Sequence, residues 1–244
     1  MAEQHTKPAY YAAGPGRWRD WWTLLHPPFT AWHLAYVVIG AMLAPEVRLS
    51  RLLAAVGAFF LAVGISAHAL DELHGRPLRT SIPSSVLVTA TVIGLAGAVG
   101  LGVWGLVKVG WLLLPFMVIG PLLVVGYNAE LFGGIIHTDL GFAAAWGAFP
   151  ALTGYVSQAG RLAIAPVIVA AAAMAMSAGQ RHLSTPARLL RRQTEAVTGT
   201  VMLTSGEVIA LDSARLREPL ERALRSFSWG LVLLAAALAT ARLA

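Results

Sequence analysis

Two short segments concentrate the residue types that bind metals and anions, and each follows an apolar stretch. The first combines imidazole, carboxylate and guanidinium groups: His68, Asp71, Glu72, His74, Arg76 and Arg79. On a helix, residues three and four positions apart share a face, which predicts that His68, Asp71 and Glu72 lie together. Pro77 ends that helix, so the two arginines are expected at its mouth.

The second segment follows the fourth apolar stretch and carries Tyr127, Asn128, Glu130, His137 and Asp139. If this segment is helical, Glu130 and His137 lie on one stripe, and the two glycines between them leave space for a ligand. Oxygen ligands hold Mg²⁺ and guanidinium groups clamp phosphate. The two segments together therefore predict a polar cavity for a divalent metal with an anionic ligand.

The composition places these residues in a membrane protein. Of the 244 residues, 57% are hydrophobic and 12% are charged, whereas soluble domains carry about 25% charged residues. An ordinary soluble enzyme and a disordered chain are both excluded. The lack of cysteine excludes disulfides, iron–sulfur clusters, zinc fingers and thiol nucleophiles. The formal charge is +6, and in a membrane protein such an excess of Lys and Arg usually lies on cytoplasmic loops. We therefore expect membrane lipids and no nucleic acid as partners.

Seven apolar stretches approach the length of about 20 residues that a bilayer core requires. We place them at 30–47, 52–73, 84–104, 109–127, 140–158, 162–179 and 227–243. Residues 193–212 include Glu207, two glycines and several Thr and Ser, which favours an interfacial hairpin or re-entrant segment; eight or nine spans stay open. The expected fold is all-α, a polytopic transmembrane helical bundle forming one domain over residues 1–244.

Basic residues orient this bundle. Thirteen of the 18 Lys and Arg residues precede the first span or lie between spans 2 and 3 or spans 6 and 7. By the positive-inside bias, that side faces the cytoplasm. The protein is expected in the inner membrane, with its amino terminus on the cytoplasmic side. We accordingly expect residues 1–28 to form a cytoplasmic amphipathic segment and residues 180–226 a cytoplasmic or interfacial loop.

Each polar cluster also has a structural interpretation. Asp71 and Glu72 with the two arginines after them could form an interfacial ion-pair cluster. Glu130 and His137 could be a hydrogen-bonded pair, and His33 a contact between helices. The arginines of residues 181–192 could serve as an anchor at an anionic membrane surface.

The order of apolar spans and polar motifs resembles that of the UbiA superfamily of intramembrane prenyltransferases over roughly residues 20–180. The segment Leu25-His26-Pro27-Pro28-Phe29-Thr30 is similar to the start of that family's first helix. The register Ala67-His68-Ala-Leu-Asp71-Glu72-Leu-His74-Gly75, followed by Arg76-Pro77, falls where the family has its first Asp-rich motif. Only Asp71 matches an Asp of that motif, and Gln180-Arg181-His182 lies where the second motif is expected.

The resemblance implies that Mg²⁺ and an isoprenoid diphosphate bind in a cytoplasm-facing cavity, for a prenyltransferase or a terpene cyclase. The catalytic candidates are Asp71, Glu72, Glu130 and Tyr127. The diphosphate-binding candidates are Arg76, Arg79, Arg181 and Asn128. The metal-binding candidates are His68, Asp71, Glu72, His74, Glu130, His137 and Asp139.

Two further hypotheses stay open. The mixed imidazole–carboxylate set, extended by His33 or His182, suits Zn²⁺ or Fe better than Mg²⁺, as in a metalloenzyme acting on a membrane lipid. Alternatively, the chain is a non-catalytic protein that binds or transports a lipid on the same fold. The sequence does not determine the oligomeric state.

Overall fold

The computed structural model describes residues 7–14, 16–129, 133 and 135–244, which are mostly helical. The helices are α1 (Arg17–Leu24), α2 (Pro27–Met42), α3 (Leu49–Leu73), α4 (Ser84–Val109), α5 (Trp111–Asn128), α6 (residues 139–159), α7 (Ile164–Arg192) and α8 (Ser213–Leu243). Between α7 and α8, β1 (Thr200–Met202) pairs with β2 (Val208–Ala210) in an antiparallel hairpin, with Val201 opposite Ile209.

Five helices are long and apolar enough to cross a membrane, namely α3, α4, α5, α7 and α8. They support the expectation of a helical membrane protein. The 16 residues of α2 are fewer than the roughly 20 that a straight span needs. The structure therefore gives five candidate spans among the described residues, and the count of seven stays a prediction.

Helix α2 is at the centre of the bundle, where ten of its 16 residues are buried. It crosses α6 at two reciprocal glycines. Gly40 lies against the backbone of Ala151, and Gly154 lies against the backbone of Val37. A Cβ atom at either glycine would collide with the facing carbonyl group, so glycine is what allows these two helices to approach so closely.

Two helices change their winding along their length. α3 is π-helical over Phe60–Ala67, and α6 is π-helical over Ala144–Ala148. The i→i+5 bonding of a π segment changes the angle at which later residues leave the helix. In α3 this segment comes directly before the polar residues from His68 onward.

Three expectations about element bounds are wrong. α7 continues to Arg192 and α8 begins at Ser213, so only residues 193–212, and not 180–226, separate these helices. The last helix starts well before residue 227, because Pro219 is accommodated within it. α5 ends at Asn128 and His137 lies outside a helix, so His137 does not take the helical position predicted for it. The hairpin expected within residues 193–212 is confirmed.

Candidate functional site

A polar cavity of about 360 Å³ lies at the end of the bundle where α2 begins and where α3, α5 and α7 end. Among the described residues, its charged lining consists of four guanidinium groups and two carboxylates: Arg181, Arg188, Arg191, Arg192, Asp71 and Glu221. With neutral histidines, this lining has an excess of two positive charges. Such a cavity suits a ligand that carries about two negative charges.

All four arginines come from the last three turns of α7. Arg181 donates to the Tyr127 hydroxyl at 2.5 Å and pairs with Asp139 at the rim of the cavity. The Arg181 guanidinium holds the pKa of the exposed Asp139 carboxyl below its usual value, first by hydrogen bonding and then by its charge. Arg181 is therefore fixed in place by its own partners.

Arg191 and Arg192 also hold the N-terminal segment, residues 7–14. Arg191 donates to the Lys7 carbonyl at 3.2 Å, and Arg192 donates to the Pro8 carbonyl at 2.9 Å. Arg188 makes one long contact, 3.3 Å to the Thr185 hydroxyl. Among the described residues, neither Arg188 nor Arg192 has a carboxylate within 4.0 Å. Within the described chain these two cations therefore lack a counter-charge and can bind an anion, Arg192 through the N–H groups that Nε leaves unused.

Four imidazoles line the same cavity, those of His26, His33, His68 and His137. The rings of His26 and His68 stack with centroids 4.2 Å apart and planes 10° apart. The ring of His137 stacks on Tyr127, with centroids 4.4 Å apart. Asp71 lies among these rings and has no salt bridge among the described residues.

The structure brings together only part of the predicted set. The predicted site residues that line the cavity are His68, Asp71, Tyr127, Asn128, His137, Arg181 and His33. Asp139 reaches it only through Arg181. Members that do not line it are Glu72, His74, Arg76, Arg79 and His182. Glu130 lies outside the described residues.

Glu72 is turned away from the cavity and is fully buried against the loop that follows α3. One carboxylate oxygen accepts from the Leu78 amide at 2.9 Å, and the other accepts from the amide and hydroxyl of Thr80 at 2.9 and 2.8 Å. Arg76 is also engaged within the loop, through the Ile82 carbonyl and the Ser84 hydroxyl. These bonds fold the loop back onto α3.

Sequence reasoning missed most of the cationic wall and all of the N-terminal lining. The missed residues include Arg188, Arg191, Arg192, Tyr11 and His26. One signal was present: Gln180, Ser184, Ala187 and Arg191 recur every three or four residues, which marks one face of a helix. That face lines the cavity because α7 continues well past the apolar stretch.

A second, apolar cavity of about 100 Å³ lies between α3, α4, α5 and α6. Small and aromatic side chains dominate its wall, including Ala58, Gly102, Gly120, Phe116 and Phe149. Val63 and Trp146 line both cavities. The polar and the apolar space are therefore adjacent across these two side chains.

The donor set does not match a magnesium cluster. In the described part of the chain, no group of three or more His, Asp or Glu residues is arranged to hold a metal ion. Of the two carboxylates that the described residues place in the cavity, Glu221 is bound by Arg191, which leaves Asp71. Magnesium prefers near-octahedral oxygen coordination, and a single described carboxylate supplies little of it.

No family model, curated protein sequence or solved structure matches this chain. Function is therefore inferred from the two cavities.

Proposed function

We propose that this chain is a membrane protein that binds a prenyl diphosphate or a closely similar lipid phosphoanion. The anionic head would occupy the polar cavity, and the isoprenoid tail would occupy the apolar cavity. The single observation that carries the proposal is the adjacency of the two spaces across Val63 and Trp146. An amphiphile is the class of ligand that fits a cationic cavity joined to an apolar one.

The charges support a phosphate or diphosphate head in particular. Arg188 and Arg192 have no carboxylate partner among the described residues, and Arg181 is held in place by Tyr127 and Asp139. Guanidinium groups bind phosphate oxygens with two parallel hydrogen bonds, which are stronger than bonds between neutral groups. A carboxylate head would leave much of this positive lining unpaired.

The same arrangement supports transferase or cyclase chemistry. When the bond between the allylic carbon and the diphosphate oxygen breaks, the electron pair leaves with the diphosphate. Arg188 and Arg192 would stabilise the charge that develops on that leaving group. This proposal includes the relationship to the UbiA superfamily and the seven-span topology. It also includes an inner-membrane location, with the cavity and the amino terminus on the cytoplasmic side.

The UbiA resemblance also implies Mg²⁺, which would screen the charge of the diphosphate. The described donors do not fit a pair of such ions, so the proposal assigns charge neutralisation to the arginines of α7. Magnesium stays a prediction, and the binding experiment is run both with Mg²⁺ and with a chelator.

Binding of geranyl diphosphate to the detergent-purified protein tests the proposal. We expect Arg188→Gln and Arg192→Gln each to raise Kd about tenfold, since a hydrogen bond to a charged group contributes roughly 1.5–3 kcal/mol. Arg222→Gln is the matched control, because Arg222 is exposed and pairs with Glu218. Equal affinity in all four proteins, or no binding by wild type, would overturn the proposal.

Two further probes define the ligand. Inorganic diphosphate tests the head alone, and dodecyl phosphate tests a lipid phosphate without an isoprenoid tail. We expect the intact prenyl diphosphate to bind most tightly, because inorganic diphosphate lacks the apolar tail and dodecyl phosphate has a smaller anionic head. Analysis of the bound ligand after incubation separates an enzyme from a protein that binds or transports the lipid unchanged.

A metalloenzyme acting on a lipid is the second candidate. His33, His68 and His137 each have Nδ1 within 3.2 Å of a backbone carbonyl, which leaves Nε2 as a lone-pair donor toward the cavity. Metal-binding histidines commonly donate their other ring N–H to a carbonyl group in this way. Stoichiometric Zn or Fe that is lost in His68→Gln and retained in His74→Gln would favour this candidate over the first.

A further inference from the structure

We propose that His26 is the uncharged hydrogen-bond donor of the anion site, and that Tyr11 of the N-terminal segment positions it. The Nε2–H group of His26 would donate to an oxygen of the bound phosphate, beside the guanidinium groups of α7. The inference rests on the proposed function, and it adds a binding residue and a positioning residue that the sequence did not predict.

Hydrogen bonding distinguishes His26 from the other imidazoles of the cavity. His33, His68 and His137 have Nδ1 2.8, 3.2 and 3.1 Å from the carbonyls of Trp146, Gly64 and Tyr127. A carbonyl only accepts, so each Nδ1 carries the proton, and Nε2 of the neutral ring is an acceptor. These three rings cannot donate to an anion while they are neutral.

His26 has a different partner. Its Nδ1 lies 2.8 Å from the Tyr11 hydroxyl, which has a proton to donate. Burial raises the pKa of Tyr11 far above its ordinary value, so the phenol keeps that proton. When Tyr11 donates to Nδ1, the proton of neutral His26 is on Nε2. Among the four imidazoles described in the cavity, His26 is then the one that presents an N–H.

That N–H has no acceptor among the described residues. The Nε2 atom of His26 is shielded from solvent and makes no hydrogen bond. A buried polar group left unpaired has lost its hydrogen bonds to water without replacement, so such an atom needs an explanation. An anion held by Arg188 and Arg192 supplies one, because His26 and both of these arginines line the same cavity.

The ring is held neutral and in place. Burial comes first among the causes that hold the pKa of His26 well below its usual value, followed by His68, Arg192 and Arg188. The backbone of His26 has φ 46°, in the left-handed region that residues other than glycine seldom adopt. Strain of this kind persists only where the surrounding structure enforces it, and it is concentrated at ligand sites.

The N-terminal segment supplies the positioning residue. Besides its bonds to Arg191 and Arg192, the segment is held by Ala13, whose amide donates to the Thr23 hydroxyl at 3.0 Å. Tyr11 also packs edge to face on Phe29, with centroids 5.7 Å apart. The segment is thus part of the wall of the anion site and sets the tautomer of His26.

Geranyl diphosphate binding to the full chain tests this assignment with four variants. We expect His26→Ala to raise Kd about tenfold and His26→Gln to restore it to within about threefold, because the Gln amide donates from a position close to Nε2. Tyr11→Phe is expected to raise Kd about threefold by freeing the tautomer. His74→Ala is the matched control, since His74 is exposed and does not line the cavity.

A spectroscopic measurement separates hydrogen bonding from a structural effect. In protein with ¹⁵N-labelled histidine, the resonances lost in His26→Gln identify this ring. We expect the shifts of an Nε2–H tautomer, a change at Nε2 when ligand is added, and tautomer averaging in Tyr11→Phe. An Nδ1–H tautomer, or an unchanged Kd in His26→Ala while wild type binds, would overturn the inference. If wild type does not bind, the proposed function fails instead.

Discussion

Arg191 and Glu221 form a two-pronged ion pair that joins α7 to α8 at the edge of the polar cavity. Nε of Arg191 is 2.7 Å from one carboxylate oxygen, and Nη2 is 2.6 Å from the other. Both side chains are only 12% exposed, and Arg217 lies 3.6 Å from the same carboxylate. Because Arg191 also holds the Lys7 carbonyl, this pair links the two helices to the N-terminal segment.

Replacing Glu221 by Gln should therefore destabilise the protein. Removing one partner of a largely buried pair leaves the other charge uncompensated, and we expect a loss of about 3 kcal/mol. The matched control is Glu218→Gln, whose exposed pair with Arg222 should contribute less than about 1 kcal/mol. Unfolding in mixed micelles measures both, and equal losses in the two variants would contradict the prediction.

The loop after α3 should depend on Glu72. In Glu72→Gln, the carboxylate that accepts from Leu78 and Thr80 is replaced by a group with one acceptor oxygen. We expect a loss of about 1–3 kcal/mol and faster trypsin cleavage after Arg79, which is exposed in the same loop. Glu46→Gln, at an exposed position, is the control. An unchanged cleavage rate would show that Glu72 does not hold the loop.

The crossing of α2 and α6 should tolerate no side chain at its glycines. A Cβ at Gly40 would collide with the Ala151 carbonyl, so Gly40→Ala is expected to destabilise the bundle by about 3 kcal/mol. Gly100→Ala in α4 is the control, because no atom lies within 4 Å of the added Cβ. There the higher helix propensity of Ala should be neutral or stabilising by up to about 1 kcal/mol. The two free energies of unfolding should thus differ in sign or by several-fold.

Acidification should destabilise the protein through His26. Its pKa is lowered in the folded state, so below about pH 6.5 the unfolded chain binds a proton that the folded chain does not. The stability that the buried neutral ring of His26 contributes to the folded state is fully present above pH 6.5 and is lost as the pH falls. The groups that act on the ring are Tyr11, His33, His68, Arg188 and Arg192.

A comparison of wild type with His26→Gln isolates this effect. The wild-type free energy of unfolding should fall more steeply between pH 6.5 and pH 5, by up to about 1.4 kcal/mol per pH unit for one group. Other buried histidines contribute to both proteins and cancel in the difference. Parallel pH curves for the two proteins would show that His26 titrates alike in the folded and unfolded states.

The apolar cavity should determine how long an isoprenoid tail the protein accepts. A Cβ at Gly120 would lie 3.6 Å from the ring of Phe149, which is an ordinary contact, and larger side chains would fill the space. We expect Gly120→Leu to weaken binding of farnesyl diphosphate about tenfold and that of geranyl diphosphate less than twofold. Gly100→Leu, on a face of α4 with open space around it, is the control. An equal loss for both ligands would place the tail elsewhere.

The sequence by itself determined the class of protein and the approximate positions of its helices. An overall hydrophobic fraction of 57%, gathered into long apolar stretches, favours a helical bundle, and the structure has five helices long and apolar enough to cross a membrane. It also indicated Asp71, Tyr127 and Arg181, because polar groups beside apolar spans are costly and need a reason to be there. Asp212 before α8 is a residue type that caps helices, and its carboxylate accepts from the Arg215 amide.

Only the tertiary structure decided which polar groups meet. Asp71 and Glu72 are adjacent in sequence, but about 100° of helical rotation separates them, so one lines the cavity while the other holds a loop. The π segment before them rotates both side chains relative to the first part of α3, and composition does not reveal this. Arg188 and Arg192 reach the cavity because α7 continues beyond its apolar part. Tyr11 and His26 meet because the N-terminal segment folds back over α2. Contacts between residues so far apart in sequence depend on packing, which no local pattern encodes.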